Sequence, residues 1–231
     1  MDNEKLIKTT IATYDAIAEQ YANDFFNNER KEQFAHEFSN TIKQGGKVLD
    51  VACGCGGMSK VLAENGLKVT GIDLSTRMLQ IAKTNVPNVD FEIGDMRNLR
   101  FDDNEFDGLV AISAIIHLPQ NDVLPTLQEF RRVLKPNGKL GLMLSIVDQS
   151  FERVEKEVYD PTLDIFYRHF SLDEIKELLK QTGFAKTSFQ IEPHIDEDSG
   201  EQVTRLYAIA ELEKELLKNV YMRQQHGTEK V

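Results

Sequence analysis

The chain has 231 residues, 41% of them hydrophobic and 28% charged, a balance that describes one soluble α/β domain with a real core and not a disordered segment. Its 38 acidic against 27 basic side chains leave a net charge of −11, which excludes nucleic-acid phosphate as the main partner. No run approaches the roughly 18 apolar residues of a membrane span, and the polar start Met1-Asp2-Asn3-Glu4-Lys5 lacks a secretory signature, so a cytoplasmic protein without membrane association is expected.

The first 44 residues carry helical patterns throughout, with Tyr14 and Tyr21 seven residues apart and therefore on one helix face. Residues 47–51 form the first strand, followed by the glycine-rich Ala52-Cys53-Gly54-Cys55-Gly56-Gly57. A helix through Met58, Val61 and Leu62 then stops at Asn65-Gly66. Residues 68–73 are the second strand, and Ser75 caps a helix that carries Met78, Leu79 and Ala82 at helical spacing. The third strand, residues 89–93, ends at Gly94-Asp95, and the apolar run 106–113 is a fourth strand buried on both faces. A helix over residues 123–134 ends at Lys135-Pro136-Asn137-Gly138, and residues 139–146 are the fifth strand. Ser171 and Glu174 form a capping box for a further helix that stops at Thr182-Gly183. Residues 186–191 and 203–210 read as an antiparallel hairpin joined by the acidic turn 196–200, and residues 211–223 as a charged helical tail. The alternation of strands with helices is the βαβ signature of a parallel sheet covered on both faces.

Gly54 and Gly56 lie in the turn between the first strand and first helix, where backbone N–H groups and a helix N-terminus approach a ligand. Asp50, Asp73 and Asp95 stand near the carboxyl ends of three strands and would line one crevice. An ionised carboxylate at Asp73 can accept from both hydroxyls of a ribose, and one at Asp95 from the exocyclic amine of adenine. Asp50, before the turn, favours a cationic amine on the ligand and disfavours a diphosphate. Asp73 also follows Gly56 by 17 residues, close to the offset of a dinucleotide fold, so a NAD-type oxidoreductase stands as an alternative that Asp50 opposes.

Taken together, Val48-Leu49-Asp50-Val51-Ala52-Cys53-Gly54-Cys55-Gly56-Gly57, Gly71-Ile72-Asp73-Leu74-Ser75, Gly94-Asp95-Met96 and the segment Phe106-Asp107 to Leu118-Pro119 resemble the class I S-adenosylmethionine-dependent methyltransferases, in particular their small-molecule group. Arg132-Val133-Leu134-Lys135-Pro136-Asn137-Gly138-Lys139-Leu140 is similar to that family's turn into strand five. The resemblance covers roughly residues 10–210. It implies a Rossmann-like sheet of seven strands in the order 3-2-1-4-5-7-6, strand 7 antiparallel, with helices on both faces. It further implies a single methyltransferase domain over 1–231: a helical extension or lid (1–44), a cofactor-binding core (45–146), an acceptor-side segment with the terminal hairpin (147–210) and the tail (211–231). By resemblance the cofactor is S-adenosyl-L-methionine, released as S-adenosyl-L-homocysteine. Asp50, Ala52, Gly54 and Gly56 would surround its methionine part, Asp73 and Leu74 its ribose, Asp95 and Met96 its adenine, and Ser113 its sulfonium. Met78 would join this cofactor set, and Tyr21 would cover it. The family carries Gly where this chain has Ala52, a methyl group that is harmless provided the residue keeps a negative φ.

The implied reaction is methyl transfer to a small-molecule O-, N- or C-nucleophile, with no metal required. His117, just past strand four, is the first candidate for a base and Tyr21 the second, although a histidine in an apolar stretch is also what a core histidine looks like. Tyr14, Tyr167, Arg168 and His169 are candidate acceptor contacts, and each could equally be packing. Cys53 and Cys55, separated by one residue, are too close for an ordinary disulfide and read as turn residues. A non-catalytic protein that senses S-adenosylmethionine is the remaining alternative, and either a monomer or a homodimer is compatible with the sequence.

Overall fold

The N-terminal residues fold as two helices, α1 (Asn3–Phe25) and α2 (Glu29–Ser39), started by the side chains of Asp2 and Asn28, which accept from Glu4 N and Lys31 N. The computed structural model describes residues 2–157, 160–195 and 202–213. Beyond α2 come β1 (Lys47–Val51), α3 (Gly57–Glu64), β2 (Lys68–Asp73), α4 (Thr76–Asn85), β3 (Asp90–Ile93), β4 (Phe106–Ile112), a 3-10 turn (Ile115–His117), α5 (Gln120–Val133) and β5 (Leu134–Val147). The rest is β6 (Phe151–Glu155), β7 (Ile165–Ser171), α6 (Leu172–Gln181), β8 (Phe184–Ile195) and β9 (Gln202–Leu212).

β1 pairs in parallel with β2 and β4, β2 with β3, and β4 with β5. β9 runs antiparallel to β5 and to β8. The main sheet is therefore ordered β3-β2-β1-β4-β5-β9-β8, the expected 3-2-1-4-5-7-6 arrangement with β8 and β9 in the places of the sixth and seventh strands. Central strands alternate between two apolar layers: Leu49, Val51, Leu109 and Ala111 pack with Phe130 and Leu127 of α5 on one face. Val48 and Val110 pack with Phe34, Phe38, Met58 and Leu62 from α2 and α3 on the other. The fully buried Phe38 ring lies directly on the sheet, since a Cβ on Gly108 or Gly141 would come within 2.9 Å of it.

Several expectations are corrected in detail. β6 and β7, an antiparallel hairpin, were not expected as strands; β7 joins only the last residues of β5, with Ile146 opposite Phe170 and Val147 opposite Ser171. The hairpin thus stands beyond the carboxyl edge of the sheet. Glu211 and Leu212 continue β9 as strand, not helix; residues 214–223 of the expected tail and the turn 196–200 lie outside the described residues. Ser171 caps α6 by accepting from Glu174 N at 3.2 Å, but the Ser171 N–H is taken by Ser150 Oγ, and the Glu174 carboxylate turns to Arg168, so only half of a capping box forms.

Candidate active site

A cavity at the carboxyl edge of β1, β2 and β4 is roofed by α1 and lined by Tyr14, Tyr21, Ala52, Gly54, Asp73, Leu74, Met78, Asp95, Met96, Ser113 and His117. Eleven sequence-predicted residues, distant in the chain, therefore meet in one place. Of the eight other described residues that line it, Ile11, Ser75 and Arg97 among them, none was singled out beforehand as a site residue.

The glycine-rich turn explains the shape of the floor. Gly54 has φ +55, and a Cβ there would project towards Tyr21, whose Cε1 would be 3.9 Å away, so a side chain would occupy the cavity. Gly56, φ +89, begins α3 and is pressed against Phe91 and Ala82; it supports the turn without lining the cavity. Ala52 has φ +54, so the condition under which its methyl group would be harmless, a negative φ, is not met. The position demands a left-handed backbone, and Ala there carries roughly 1 to 2 kcal/mol of strain that Gly would not. Ser113 is also left-handed, φ +50, held by its N–H donating to Met143 O at 2.7 Å.

The three acids differ in environment. Asp73 accepts from Gly54 N at 2.9 Å and Ser75 N at 2.8 Å, so it ties the end of β2 to the turn. Burial raises its pKa, opposed by those backbone N–H groups. Asp95 is gripped by Arg97, whose Nη2 and backbone N donate at 2.7 and 2.9 Å. The same guanidinium donates to Glu4 of α1 at 2.7 Å, which fastens one end of the roof. Asp15 fastens the middle by accepting from Ser75 Oγ at 2.6 Å and Arg77 N at 3.0 Å. Asp50 is placed differently from its expected role: it is 1% exposed, lies beneath the turn and accepts from Ser59 Oγ at 2.6 Å instead of facing the cavity. Desolvation pushes its pKa up to about 7, with Ser59 opposing and Asp73 adding to the rise.

On the other wall, Tyr14 Oη and His117 Nε2 are 3.0 Å apart, and His117 Nδ1 is 3.0 Å from Phe166 O. A carbonyl can only accept, so Nδ1 carries the hydrogen, Nε2 is bare, and Tyr14 donates to it. Burial lowers the His117 pKa to about 4, so the ring is neutral. Tyr14 also meets Tyr21 edge-on, with centroids 5.7 Å apart. α1 is stapled to β7 beside this pair: Thr13 Oγ1 donates to Asp164 O at 2.6 Å and Thr10 Oγ1 accepts from Phe166 N at 3.2 Å.

Tyr167, Arg168 and His169 on β7 do not line the cavity. Tyr167 packs against His117, centroids 5.1 Å apart. Arg168 is 4% exposed and points the opposite way, where it pairs with Glu152 at 3.0 Å and with Glu174. Cys53 and Cys55 are buried, and desolvation raises both thiol pKa values. Among the described residues no cluster of three His, Cys, Asp or Glu could hold a metal, and no helix is long and apolar enough to cross a membrane.

A methyltransferase-domain family profile matches residues 48–138, the stretch from β1 to β5 that builds the cavity floor. Demethylmenaquinone methyltransferase of Thermotoga maritima is 30% identical over 168 residues, 62% of this chain and 72% of that enzyme. The Bacillus subtilis protein YqeM is 36% identical over 129 residues, 54% of this chain and 51% of its own length, so the chain spans only about half of that relative. Among solved structures, 1,6-didemethyltoxoflavin-N1-methyltransferase of Burkholderia thailandensis superposes with a TM-score of 0.73 at 17% identity, covering 93% of this chain and 92% of that one. The chain belongs to the class I S-adenosylmethionine-dependent methyltransferases. The dinucleotide alternative falls with that membership.

Proposed function

We propose that the protein transfers the methyl group of S-adenosylmethionine to a small-molecule acceptor, and that Tyr14, backed by His117, takes the acceptor's proton. The observation that carries this reading is the Tyr14–His117–Phe166 chain of hydrogen bonds opening onto the same cavity as Asp73 and Asp95. Two relatives named above support a small-molecule acceptor, since their names give demethylmenaquinone and 1,6-didemethyltoxoflavin as theirs.

The residues present fit the cofactor. Gly54 leaves space that a side chain would fill, and Asp73 retains acceptor capacity for ribose hydroxyls, because each carboxylate oxygen has a second lone-pair site. Asp95 would share its oxygens between Arg97 and an adenine amine, with Met96 and Leu74 as apolar neighbours. Tyr21 would cover the sulfur end above Gly54. Asp50 would act on the turn through Ser59, not on the ligand directly.

When bound, S-adenosylmethionine supplies a methyl group already activated on a sulfonium, and leaves as the neutral thioether. The chain's own task is to hold the acceptor in line at about 3 to 3.5 Å, exclude water and receive a proton. The acceptor's proton passes to Tyr14 Oη as the phenol's own proton passes to His117 Nε2, while Nδ1–H stays on the Phe166 carbonyl. Desolvation makes imidazolium unfavourable here, so the proton is released to solvent after transfer and does not remain on the ring. Among the described residues, the charged side chains that line the cavity are Asp73, Asp95 and Arg97, all on the cofactor side.

The test is calorimetric titration with S-adenosylhomocysteine and NAD, followed by measurement of S-adenosylhomocysteine release over a panel of phenolic, enolic and heteroaromatic N–H acceptors. Binding of S-adenosylhomocysteine but not NAD, with release for some acceptors, is expected. No binding of S-adenosylhomocysteine overturns the reading; binding without any turnover identifies a sensing protein instead.

A further inference from the structure

A strand at the end of a sheet turns every second backbone N–H and C=O outward, where only water or another strand can meet them. β8 is the longer of the two edges of the main sheet, Phe184–Ile195 against Asp90–Ile93 in β3, and among the described residues it pairs with β9 alone. Two features close its ends. The register against β9 slips at Ala185, between Phe184 and Lys186, and such a bulge twists an edge away from further pairing. At the other end Pro193 has no N–H to offer a neighbour. The stretch left open is 186–192, with Phe189 at its centre.

The open stretch has an apolar and a polar side. Phe189 and Ile191 stand opposite Ala208 and Leu206 of β9, in the layer that packs with α5 and α6. The Phe189 ring is half-buried, with Lys176 Nζ of α6 5.9 Å from its centroid, and Ile191 is 44% exposed. Lys186, Ser188, Gln190 and Glu192 alternate with these onto the opposite layer, beside Tyr207 and α2. The Lys186 side chain is 76% exposed and lines a hollow of about 390 Å³ with Thr41, Lys139, Ser188 and Glu211. Glu211 pairs with both Lys139 and Lys186, so two cations in this hollow share one carboxylate.

We propose that the open stretch of β8 is an interface on which two copies of this chain join, strand to strand and antiparallel about Phe189, into one continuous sheet. The charges are self-complementary in that register. A two-fold axis at Phe189 sets Lys186 opposite Glu192 of the second copy, and Ser188 opposite its Gln190, each contact occurring twice. Phe189 meets its own counterpart and Ile191 meets Thr187, which covers the exposed aliphatic side chain. The two stops also fall opposite each other, Ala185 against Pro193, so the paired length is the whole open stretch. Residues directly opposite share a face of the sheet, so Glu192 of the second copy arrives at the hollow where Lys139 and Lys186 share Glu211. Within its own copy Glu192 stands opposite Arg205 and accepts from Gln190 Nε2 at 2.7 Å; Lys186 of the second copy adds a further cation beside it. A slip of the register in either direction separates Lys186 from Glu192 and loses both ion pairs. The cavity lies at β1, β2 and β4, away from this edge, so the joined sheet leaves it open and the inference stands apart from the methyltransferase reading.

Sedimentation velocity of the full chain from about 1 to 100 µM tests the interface, and conversion from one chain mass to two across that range is expected. Lys186→Glu and Glu192→Lys each set like charges opposite each other twice, and each raises the dissociation constant of the dimer by about tenfold or more. An equimolar mixture of these two variants regains the wild-type constant to within about threefold, because every contact between positions 186 and 192 then joins opposite charges. Both variants keep the S-adenosylhomocysteine affinity of the wild type, which shows that the fold is intact. A wild-type chain that stays a monomer at every concentration, its edge left to residues 214–231 or to another protein, overturns the proposal. So does a dimer indifferent to both reversals, or a loss that mixing the variants does not restore.

Discussion

Tyr14 and His117 come from segments 103 residues apart and meet through a single hydrogen bond, Oη to Nε2 at 3.0 Å, at the wall of the cavity. The bond runs from phenol to imidazole because Phe166 O fixes the hydrogen on Nδ1. If the proposed relay carries the acceptor's proton, Tyr14→Phe lowers kcat by about 10² or more, the lower end of general-base contributions. S-adenosylhomocysteine affinity should stay within about twofold, since the ring remains. Saturation kinetics on an identified acceptor, with calorimetry beside them, checks both halves; an unchanged kcat removes Tyr14 from the chemistry.

Ala52 occupies a left-handed position, φ +54, on the cavity floor. Gly in its place loses roughly 1 to 2 kcal/mol of strain but adds about 0.4 to 1 kcal/mol of unfolded-chain entropy. Ala52→Gly should therefore be neutral to about 1 kcal/mol more stable in urea unfolding, and should bind S-adenosylhomocysteine at least as tightly. Ala52→Val, with its branch at Cβ, should be clearly destabilised at the same φ. Loss of more than about 1 kcal/mol in Ala52→Gly contradicts the strain argument.

Asp50 and His117 have opposite linkage to pH over nearly the same window. The folded pKa of His117 is depressed to about 4 from 6.5, so the unfolded chain binds the extra proton between those values and stability is lost as pH falls through them. The folded pKa of Asp50 is raised to about 7 from 3.8, so the folded chain holds the extra proton and stability is lost as pH rises through that range. The two slopes offset each other in the wild-type protein. Asp50→Asn should make stability rise with pH between about 4 and 6.5, by up to ~1.4 kcal/mol per unit relative to wild type, and His117→Gln should tilt it the other way. Denaturant unfolding of the ligand-free proteins at pH 4.5, 5.5 and 6.5 tests this; parallel curves for all three proteins defeat it.

What the sequence reveals and what it hides divides along physical lines. The core strands are readable because Val48-Leu49 and Leu109-Val110-Ala111 are uninterrupted apolar runs between glycines and caps, where local pattern and tertiary burial agree. Asp73 and Asp95 are found because their places at strand ends carry the chemistry. Asp50 is misplaced by the same logic, since nothing local shows that Ser59 draws its carboxylate beneath the turn. The β6–β7 hairpin escapes because Phe151-Glu152-Arg153 and Tyr167-Arg168-His169 do not alternate apolar with polar in the way a half-buried strand does. Arg168 is the inward residue and Phe151 the exposed one, an inversion that depends on two glutamates distant in sequence or on another element. Arg97 is hidden for a related reason: besides neighbouring Asp95, the partners that draw it to the cavity wall, Glu4 and Asp122, lie far away along the chain.

Arg168 supplies the test of that inversion. Its guanidinium is buried between Glu152 of β6 and Glu174 of α6, and it also lies 5.1 Å above the Phe170 ring. Removing one partner of a buried ion pair costs about 3 to 5 kcal/mol, to be discounted here to about 2 to 4 because both glutamates keep some solvent contact. At about 2 to 4 °C per kcal/mol for a chain of this size, Arg168→Ala should lower the melting temperature by roughly 4 to 16 °C. Arg168→Met combined with Glu152→Gln and Glu174→Gln should recover much of the loss, since no unpaired charge is then left behind. S-adenosylhomocysteine affinity of the folded variants should not move, because Arg168 does not line the cavity. An Arg168→Ala protein that melts like the wild type but loses acceptor affinity would return Arg168 to the acceptor site and refute its role as the tie between hairpin and helix.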